Sequence, residues 1–318
     1  MMVETQATVI IEEVWKYYGK IKALENVNLR IQKGEIFFLL GPNGSGKSTL
    51  LRILSTIFSP DKGRFSLFGR DGIRDRAVIR KQIGILSEHS SHWDRLTGYE
   101  NAWFFASYYN IPQKMIKNRL NDLFRRFGLW EKRNDAVVTY SYGMRRKLSI
   151  IEAFVHQPKL LLLDEPSMGL DYVSRLKLFD LMEQEALKGT TIIVATNDVN
   201  EASQMAKRVA LLRQGTVVIT DEPMELVKSL KALTRITLWV ASPIPLTSLQ
   251  AINGVEGVAA NKEAENSFQI VFLVRDGRKI LPHIVNEVVK ENGAILGMDV
   301  NEPNLGDVFL KLTREEIH

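Results

Sequence analysis

The feature that most constrains the fold of this 318-residue chain is a glycine-rich segment, residues 41–49, that follows an apolar run. Residues 35–40 are typical of a buried strand, and the residues after the segment, through 54, are typical of a helix. The segment reads GPNGSGKST and fits the pattern GxxxxGK[ST] without a mismatch. A strand, a glycine-rich turn and a helix in this order predict a loop whose backbone N–H groups surround phosphate groups.

All nine residues of this loop are candidates for binding nucleotide phosphates: Gly41, Pro42, Asn43, Gly44, Ser45, Gly46, Lys47, Ser48 and Thr49. Lys47 can reach the β- and γ-phosphates, and the hydroxyl of Ser48 is placed to bind Mg²⁺. The alternative is a glycine turn that only links a strand to a helix. The Lys-Ser-Thr sequence in register argues against that alternative, so the loop predicts ATP binding with Mg²⁺ as the metal.

A second motif consists of four leucines, residues 160–163, followed by Asp164 and Glu165. An apolar run of this kind predicts a strand buried on both faces, whose end lies at the edge of the sheet where ligands bind in open α/β folds. Asp164 is the expected Mg²⁺ ligand, and Glu165 is expected to orient or deprotonate an attacking water. The alternative is a surface turn after a core strand, where acidic residues are common.

The rest of the chain predicts an α/β fold with two domains. Strands alternate with helices through about residue 218, which indicates a P-loop NTPase core with a mostly parallel sheet covered on both faces. The region of about 88–158 is expected to be an inserted helical subdomain. We place the ATP-binding domain at 1–228 and a small α+β domain at 229–318, where the pattern βαββαβ indicates a ferredoxin-like unit with a role in regulation or dimerisation.

Composition excludes several other classes. The chain has no cysteine, so disulfides and thiolate metal sites are excluded. Its purely apolar runs are four or five residues long, whereas a membrane-spanning helix needs about twenty, so a transport role would require a separate membrane protein. The net charge of +5 is mild and its basic residues are interleaved with acidic ones, so no nucleic-acid partner is expected.

Residues 140–145 read YSYGMR and lie just upstream of the leucine strand. They resemble the signature motif of the ABC ATPases, which implies roles for Ser141, Tyr142, Gly143 and Met144. A serine at a helix N-terminus offers donors for a γ-phosphate, although an ordinary helix cap is the alternative. In the family this motif closes onto ATP held by a second subunit, so the resemblance implies a head-to-tail dimer of two copies.

Other segments resemble the same family in the same order. Tyr18 corresponds to the aromatic residue that stacks on adenine, although the neighbouring Tyr17 could take its place. Gly169 and Asp171 lie in a segment resembling the D-loop, which bridges the two sites across the dimer. Residues 96–101 resemble a segment that contacts the permease, and residues 302–310, EPNLGDVFL, resemble the ending of the drug-resistance and sodium-exporter branch.

The resemblance implies an ATP-hydrolysing motor subunit of an ABC transporter of the exporter type, whose cargo is chosen by a separate membrane subunit. Such a subunit is cytoplasmic, lies on the inner face of the cell membrane and acts as a dimer on a separate transmembrane permease. Two alternatives stay open at this point. One is a regulator that binds ATP with little turnover, and the other is an ABC ATPase without a role in transport.

Two positions depart from the family pattern. Glu88 stands where the Q-loop usually has glutamine, and its carboxylate can still offer an oxygen to Mg²⁺. Asn197 stands where the family has a switch histidine after a buried strand. An asparagine amide can donate a hydrogen bond to a γ-phosphate, but it cannot become cationic near neutral pH as a histidine can. The resemblance therefore implies catalytic roles for Glu165 and Asn197, with hydrolysis slowed by the asparagine.

The substitution Asn197→His tests this expectation. We expect the variant to hydrolyse ATP about ten- to a hundredfold faster, because a charge-assisted hydrogen bond is worth about 1.5–3 kcal/mol. The measurement is steady-state phosphate release by the purified protein. An unchanged or lower rate in the variant would contradict the expectation.

Overall fold

The computed structural model describes residues 7–88, 91–109, 111–229, 233–264 and 267–314. The chain divides into two compact units, Met1–Pro223 and Met224–His318. The division lies a few residues before the boundary expected from the sequence, because most of the helix Pro223–Ser229 is counted with the second unit. Among the described residues, no helix is both long and apolar enough to cross a membrane.

The first unit combines ten strands and seven helices within its described residues. The strands are β1 (Ala7–Tyr18), β2 (Ile21–Gln32), β3 (Ile36–Leu40), β4 (Lys62–Leu67), β5 (Arg70–Asp71), β6 (Ile83–Leu86), β7 (Leu160–Asp164), β8 (Thr191–Thr196), β9 (Arg208–Arg213) and β10 (Thr216–Asp221). The helices are α1 (Lys47–Leu54), α2 (Arg76–Arg80), α3 (Gly98–Ser107), α4 (Gln113–Arg126), α5 (Tyr142–Phe154), α6 (Tyr172–Leu187) and α7 (Val199–Met205). The helix Pro223–Ser229, which follows them, is α8.

The central sheet has six strands in the order β10-β9-β3-β8-β7-β6. All neighbouring pairs are parallel except β10 with β9, so the prediction of a mostly parallel sheet is confirmed. Every residue of β3, β7 and β8 is buried, as expected of strands covered on both faces. Because β8 lies between β3 and β7, the loops that follow these three strands meet at one edge of the sheet.

A second sheet of four antiparallel strands, in the order β2-β1-β4-β5, was not predicted. The sequence predicts β1 and β2 as strands. Their alternation of buried and exposed residues does not indicate which sheet a strand joins. Apolar side chains from this sheet, from α1 and from the central sheet form one continuous core. Helix α1 therefore packs its apolar side chains against those of both sheets.

Helices α3, α4 and α5 and a short 3₁₀ turn at Val137–Thr139 lie between β6 and β7, at the position expected for the helical insertion. Helix α3 begins with a capping box, in which the side chain of Thr97 accepts from Glu100 N and the side chain of Glu100 accepts from Thr97 N. Helix α4 places Leu120, Leu123 and Phe124 on its buried face. Helix α4 therefore packs its apolar face into the protein rather than toward solvent.

The second unit has the predicted βαββαβ order with a terminal helix. Its elements are β11 (Thr234–Val240), α9 (Leu246–Gln250), β12 (Val255–Ala264), β13 (Ser267–Val274), α10 (Gly277–Lys290), β14 (Ile295–Asn301) and α11 (Leu305–Arg314). The strands pair antiparallel in the order β12-β13-β11-β14, which is the arrangement of a ferredoxin-like sheet. Alternate residues of β11 and β13 pack with α9 and α10 in a separate apolar core.

Candidate nucleotide-binding site

The candidate site lies at the carboxyl edge of the central sheet. The glycine-rich loop follows β3, Glu165 follows β7, and Asn197 follows β8. The parallel register pairs Leu40 with Thr196 and Asp164 with Ala195, so the three strands end at the same level. The sheet therefore brings together residues that are more than a hundred positions apart in the chain.

The glycine-rich loop adopts a backbone that requires glycine. Gly46 precedes α1 with a φ of 107°, and Gly44 has a φ of 78°. A Cβ atom on Gly46 would lie 2.5 Å from the carbonyl oxygen of Ala23, whereas one on Gly44 would meet nothing within 4 Å. A Cβ on Gly41 would collide with the carbonyl oxygen of Leu212. The loop is therefore held closely by neighbouring backbone at both of its ends.

Lys47 is buried beneath this loop, and its side chain reaches back to the first two residues of the loop. Its ammonium group donates to the carbonyl oxygens of Gly41, at 2.7 Å, and of Pro42, at 3.2 Å. Burial lowers the pKa of Lys47, while the carboxylates of Glu165 and Asp164 act in the opposite direction. The ammonium can thus exchange loop carbonyls for phosphate oxygens without leaving the site.

The two acids after the leucines have different environments. Burial raises the pKa of Asp164, and a hydrogen bond from the Ser48 side chain opposes that effect. Burial also raises the pKa of Glu165, whose backbone has a φ of 45°. One carboxylate oxygen of Glu165 accepts from Thr196 Oγ1 at 3.0 Å, and the other accepts from Asn197 N at 3.1 Å. The turn after β8 therefore fixes the direction of the Glu165 carboxylate.

A cavity of about 450 Å³ lies between the glycine-rich loop and these acids. Its lining includes most of the loop residues, both acids, Tyr18 and Glu88. The Tyr18 ring is 40% exposed and packs edge-on against Phe58, with ring centroids 6.1 Å apart. Tyr17 is absent from the lining and stacks on Trp15 instead. Tyr18, and not Tyr17, therefore lines the cavity.

The oxygens around Ser48 suit a hard divalent cation. Ser48, Asp164 and Glu88 all line the same cavity and offer a hydroxyl and two carboxylates, which are the ligand types of Mg²⁺. In the described part of the chain, no group of three or more histidine, cysteine or acidic residues is arranged to hold a metal ion unaided. Mg²⁺ commonly takes only one or two protein carboxylates together with phosphate oxygens and water.

Asn197 is exposed at the end of β8 and faces the glycine-rich loop. Its side-chain amide donates to Asn43 Oδ1 at 3.4 Å, a long hydrogen bond across the mouth of the site. Its backbone N–H is the group that binds Glu165. Asn197 therefore contacts two of the predicted site elements at once.

The residues that resemble the signature motif lie outside this cavity. Ser141 caps α5, and its hydroxyl accepts from Met144 N at 3.3 Å. Tyr142 is exposed, and a Cβ on Gly169 would collide with its ring. A Cβ on Gly143 would lie 3.1 Å from the carbonyl oxygen of Gly169. None of the four signature residues lines the cavity that the glycine-rich loop borders.

Asp171, which the sequence places in a segment resembling a D-loop, also caps a helix. Its carboxylate caps α6 by accepting from Ser174 N at 2.8 Å, and it accepts from Lys147 Nζ at 3.0 Å. These hydrogen bonds hold the pKa of Asp171 well below its usual range. Gly169, two residues earlier, has a φ of 77°. The segment is thereby tied to α5, which carries Lys147.

Two residues with clear roles at the site were missed in the sequence. The buried guanidinium of Arg146 donates to the carbonyl oxygens of Ser87 at 2.6 Å, of Asp164 at 2.8 Å and of Glu165. It therefore joins α5 to the ends of β6 and β7. An arginine on the buried face of α5 signals that it has polar partners, but not which oxygen atoms they are. Thr196, whose hydroxyl binds Glu165, was missed because threonine is ordinary at the end of a strand.

Comparison with known proteins agrees with this geometry. Residues 24–168 match the model of the family described as ABC transporter. The chain is 31% identical over 99% of its length to a daunorubicin resistance ATP-binding protein of Streptomyces coeruleorubidus, of which it covers 98%. It is 30% identical over 95% of its length to a linearmycin resistance ATP-binding protein of Bacillus subtilis, of which it covers 97%.

Solved structures agree as well. An ATP-binding subunit of an ABC transporter superposes with a TM-score of 0.67 at 26% identity, over 70% of this chain and 93% of that one. A dimeric ATP-binding cassette in a post-hydrolysis state, bound to ADP and Pi, superposes with a TM-score of 0.62 at 26% identity. That match covers 67% of this chain and 98% of the other.

The glycine geometry gives a matched pair of variants, Gly46→Ala and Gly44→Ala. Both positions have positive φ, but only at position 46 would the new Cβ meet backbone. We expect Gly46→Ala to weaken ATP binding at least about tenfold more than Gly44→Ala, because displacing the loop removes donors worth about 1.5–3 kcal/mol each. Titration with a fluorescent ATP analogue measures this. Equal losses in both variants would contradict the assigned loop geometry.

Proposed function

Because the chain belongs to the ABC transporter ATP-binding proteins, we propose that it is the ATP-hydrolysing motor subunit of an exporter. The observation that carries this proposal is that the glycine-rich loop and the acids at the end of β7 border one cavity, while the turn after β8 is hydrogen-bonded to both of them. Each segment would meet a different need of phosphoryl transfer. The glycine-rich loop would bind the phosphates, the acids would supply a metal ligand and a base, and the turn after β8 would contact the terminal phosphate.

ATP would lie with its phosphates in the loop 41–49 and its base toward Tyr18. Lys47 would exchange its two carbonyl acceptors for β- and γ-phosphate oxygens. Ser48, Asp164 and Glu88 would hold Mg²⁺, which supplies charge neutralisation between the phosphates when it is bound. Phosphoryl transfer demands positioning and electrostatic stabilisation more than covalent chemistry, and this arrangement of side chains is suited to both.

Glu165 would orient the attacking water and accept its proton. Its carboxylate is already fixed by two donors, so its remaining lone pairs are available to a water molecule in the cavity. Asn197 would donate its side-chain amide to the γ-phosphate after leaving Asn43. A neutral donor at this position supports slower turnover than a histidine would give, because a protonated imidazole would add a positive charge beside the negative γ-phosphate.

The signature residues support a shared site between two copies. Ser141 and its neighbours are absent from the cavity of their own chain, so they would act on the nucleotide of a second copy. One of the solved cassettes that superpose on this chain is a dimer. A separate transmembrane permease completes the proposal, with the dimer on the cytoplasmic face of the membrane. The resistance proteins among the relatives support export as the direction.

A second candidate is a regulator that binds ATP and turns it over very slowly. The observation that favours it is the neutral side chain of Asn197, whose amide already donates to Asn43 Oδ1. The two candidates differ in the steady-state rate of phosphate release. A rate no greater than that of a variant without Glu165 would favour the regulator.

The substitution Glu165→Gln tests the motor directly. We expect it to abolish phosphate release while leaving ATP binding within about threefold, because glutamine keeps the shape of the side chain but cannot accept a proton at neutral pH. We also expect ATP to convert the variant to a stable dimer, which light scattering coupled to size exclusion would detect. Parental hydrolysis by this variant would contradict the assignment of Glu165.

A further inference from the structure

The end of β8 and the turn after it hold the Glu165 side chain through two donors, one of which is the hydroxyl of Thr196. Thr196 is the last residue of β8 and is 1% exposed. Its hydroxyl donates to Glu165 Oε2 at 3.0 Å and accepts from Asp198 N at 3.0 Å. A hydroxyl has one hydrogen, and the Asp198 N–H already occupies one of its lone pairs. The hydrogen of Thr196 is therefore committed to Glu165.

The residues around Thr196 are themselves anchored. Asp198 caps α7 by accepting from Asn200 N at 2.8 Å, which fixes the backbone that donates to Thr196. The backbone of Glu165 is joined to the same strand, since Glu165 N donates to Ala195 O at 2.8 Å. The carboxylate is therefore held between two groups of a rigid turn, and its direction depends on that turn.

We propose that Thr196 is a positioning residue for hydrolysis, which acts by holding the Glu165 carboxylate toward the water that attacks ATP. This inference rests on the proposed hydrolytic function. Asn197 N–H holds the other oxygen, so loss of the threonine hydroxyl leaves the carboxylate with one anchor and free to rotate about it. Rotation lowers the fraction of molecules in which the carboxylate faces the water, and this affects the chemical step but not ATP binding.

The series Thr196→Val and Thr196→Ser tests this role. Valine keeps the branched shape without the hydroxyl, and serine keeps the hydroxyl. We expect Thr196→Val to lower kcat about tenfold with little change in KM for ATP, the effect of losing one hydrogen bond to a charged group. Thr196→Ser should recover most of the rate. A valine variant with the parental kcat, or a serine variant as slow as the valine variant, would overturn the inference.

Thr190→Val is a matched control for lost buried hydroxyls. Thr190 is also buried, and its hydroxyl donates to Pro158 O at 3.0 Å, just before the other end of β8. We expect this variant to keep the parental kcat. A loss equal to that of Thr196→Val would show a general effect of weakening the sheet and overturn the inference. ATP titration of every variant verifies that the binding site is folded.

Glu165→Gln, measured in parallel, separates this inference from the proposed function. If Glu165→Gln hydrolyses ATP at the parental rate, the assignment of Glu165 fails and the inference fails with it. If Glu165→Gln is inactive while Thr196→Val keeps the parental rate, only the role of Thr196 is overturned. Inactive Glu165→Gln together with a slow valine and a recovered serine variant supports both.

Discussion

The structure of the site depends on the parallel pairing of β3, β8 and β7. These strands are wholly buried, and their hydrogen-bond register ends them at one level. The buried apolar side chains that hold them together lie within the strands, and the polar loops follow at the strand ends. Because the loops need not stabilise the sheet, they can carry glycines with positive φ and partly buried acids, which would be costly in a loop without such support.

The electrostatics of the site follow from the same burial. Lys47 lies among Glu165, Asp164 and Glu88, whose charges favour its protonated form while burial opposes it. Burial disfavours the charged form of the acids as well, and it raises the pKa of both Asp164 and Glu165. The charge of Lys47 and the charges of the acids compensate one another in part. The ammonium group and several carboxylate oxygens can still bind a ligand. Bound triphosphate and a divalent cation would add charges of both signs to it.

The arrangement of α5 adds a link from this cluster to the surface of the insertion. Arg146 joins α5 to carbonyl oxygens of residues next to Glu88 and in the acidic pair, while Ser141 caps the exposed end of the same helix. Asp171 is joined to α5 through Lys147. The proposed contact with a second copy and the site within the chain are thus connected by one helix.

Much of this could be predicted from the sequence, and the failures have physical reasons. The glycine-rich loop and the leucine strand have local patterns that specify their structure, so the parallel core and its ligand edge were predictable. The antiparallel sheet was missed because pairing of β1 with β4 depends on distant residues. The roles of Arg146 and Thr196 depend on which oxygen atoms the fold brings near them, and no pattern in the sequence reports that.

The central claim is that two copies share each site, with the loop around Lys47 from one and Ser141 from the other. The most direct measurement mixes a Lys47→Ala chain with a Ser141→Arg chain and records ATP hydrolysis. In a mixed head-to-tail dimer, one site would carry both lesions and the other neither. The account predicts that each variant alone is inactive and that the mixture regains activity. A mixture as inactive as its components, although mixed dimers form, would contradict it.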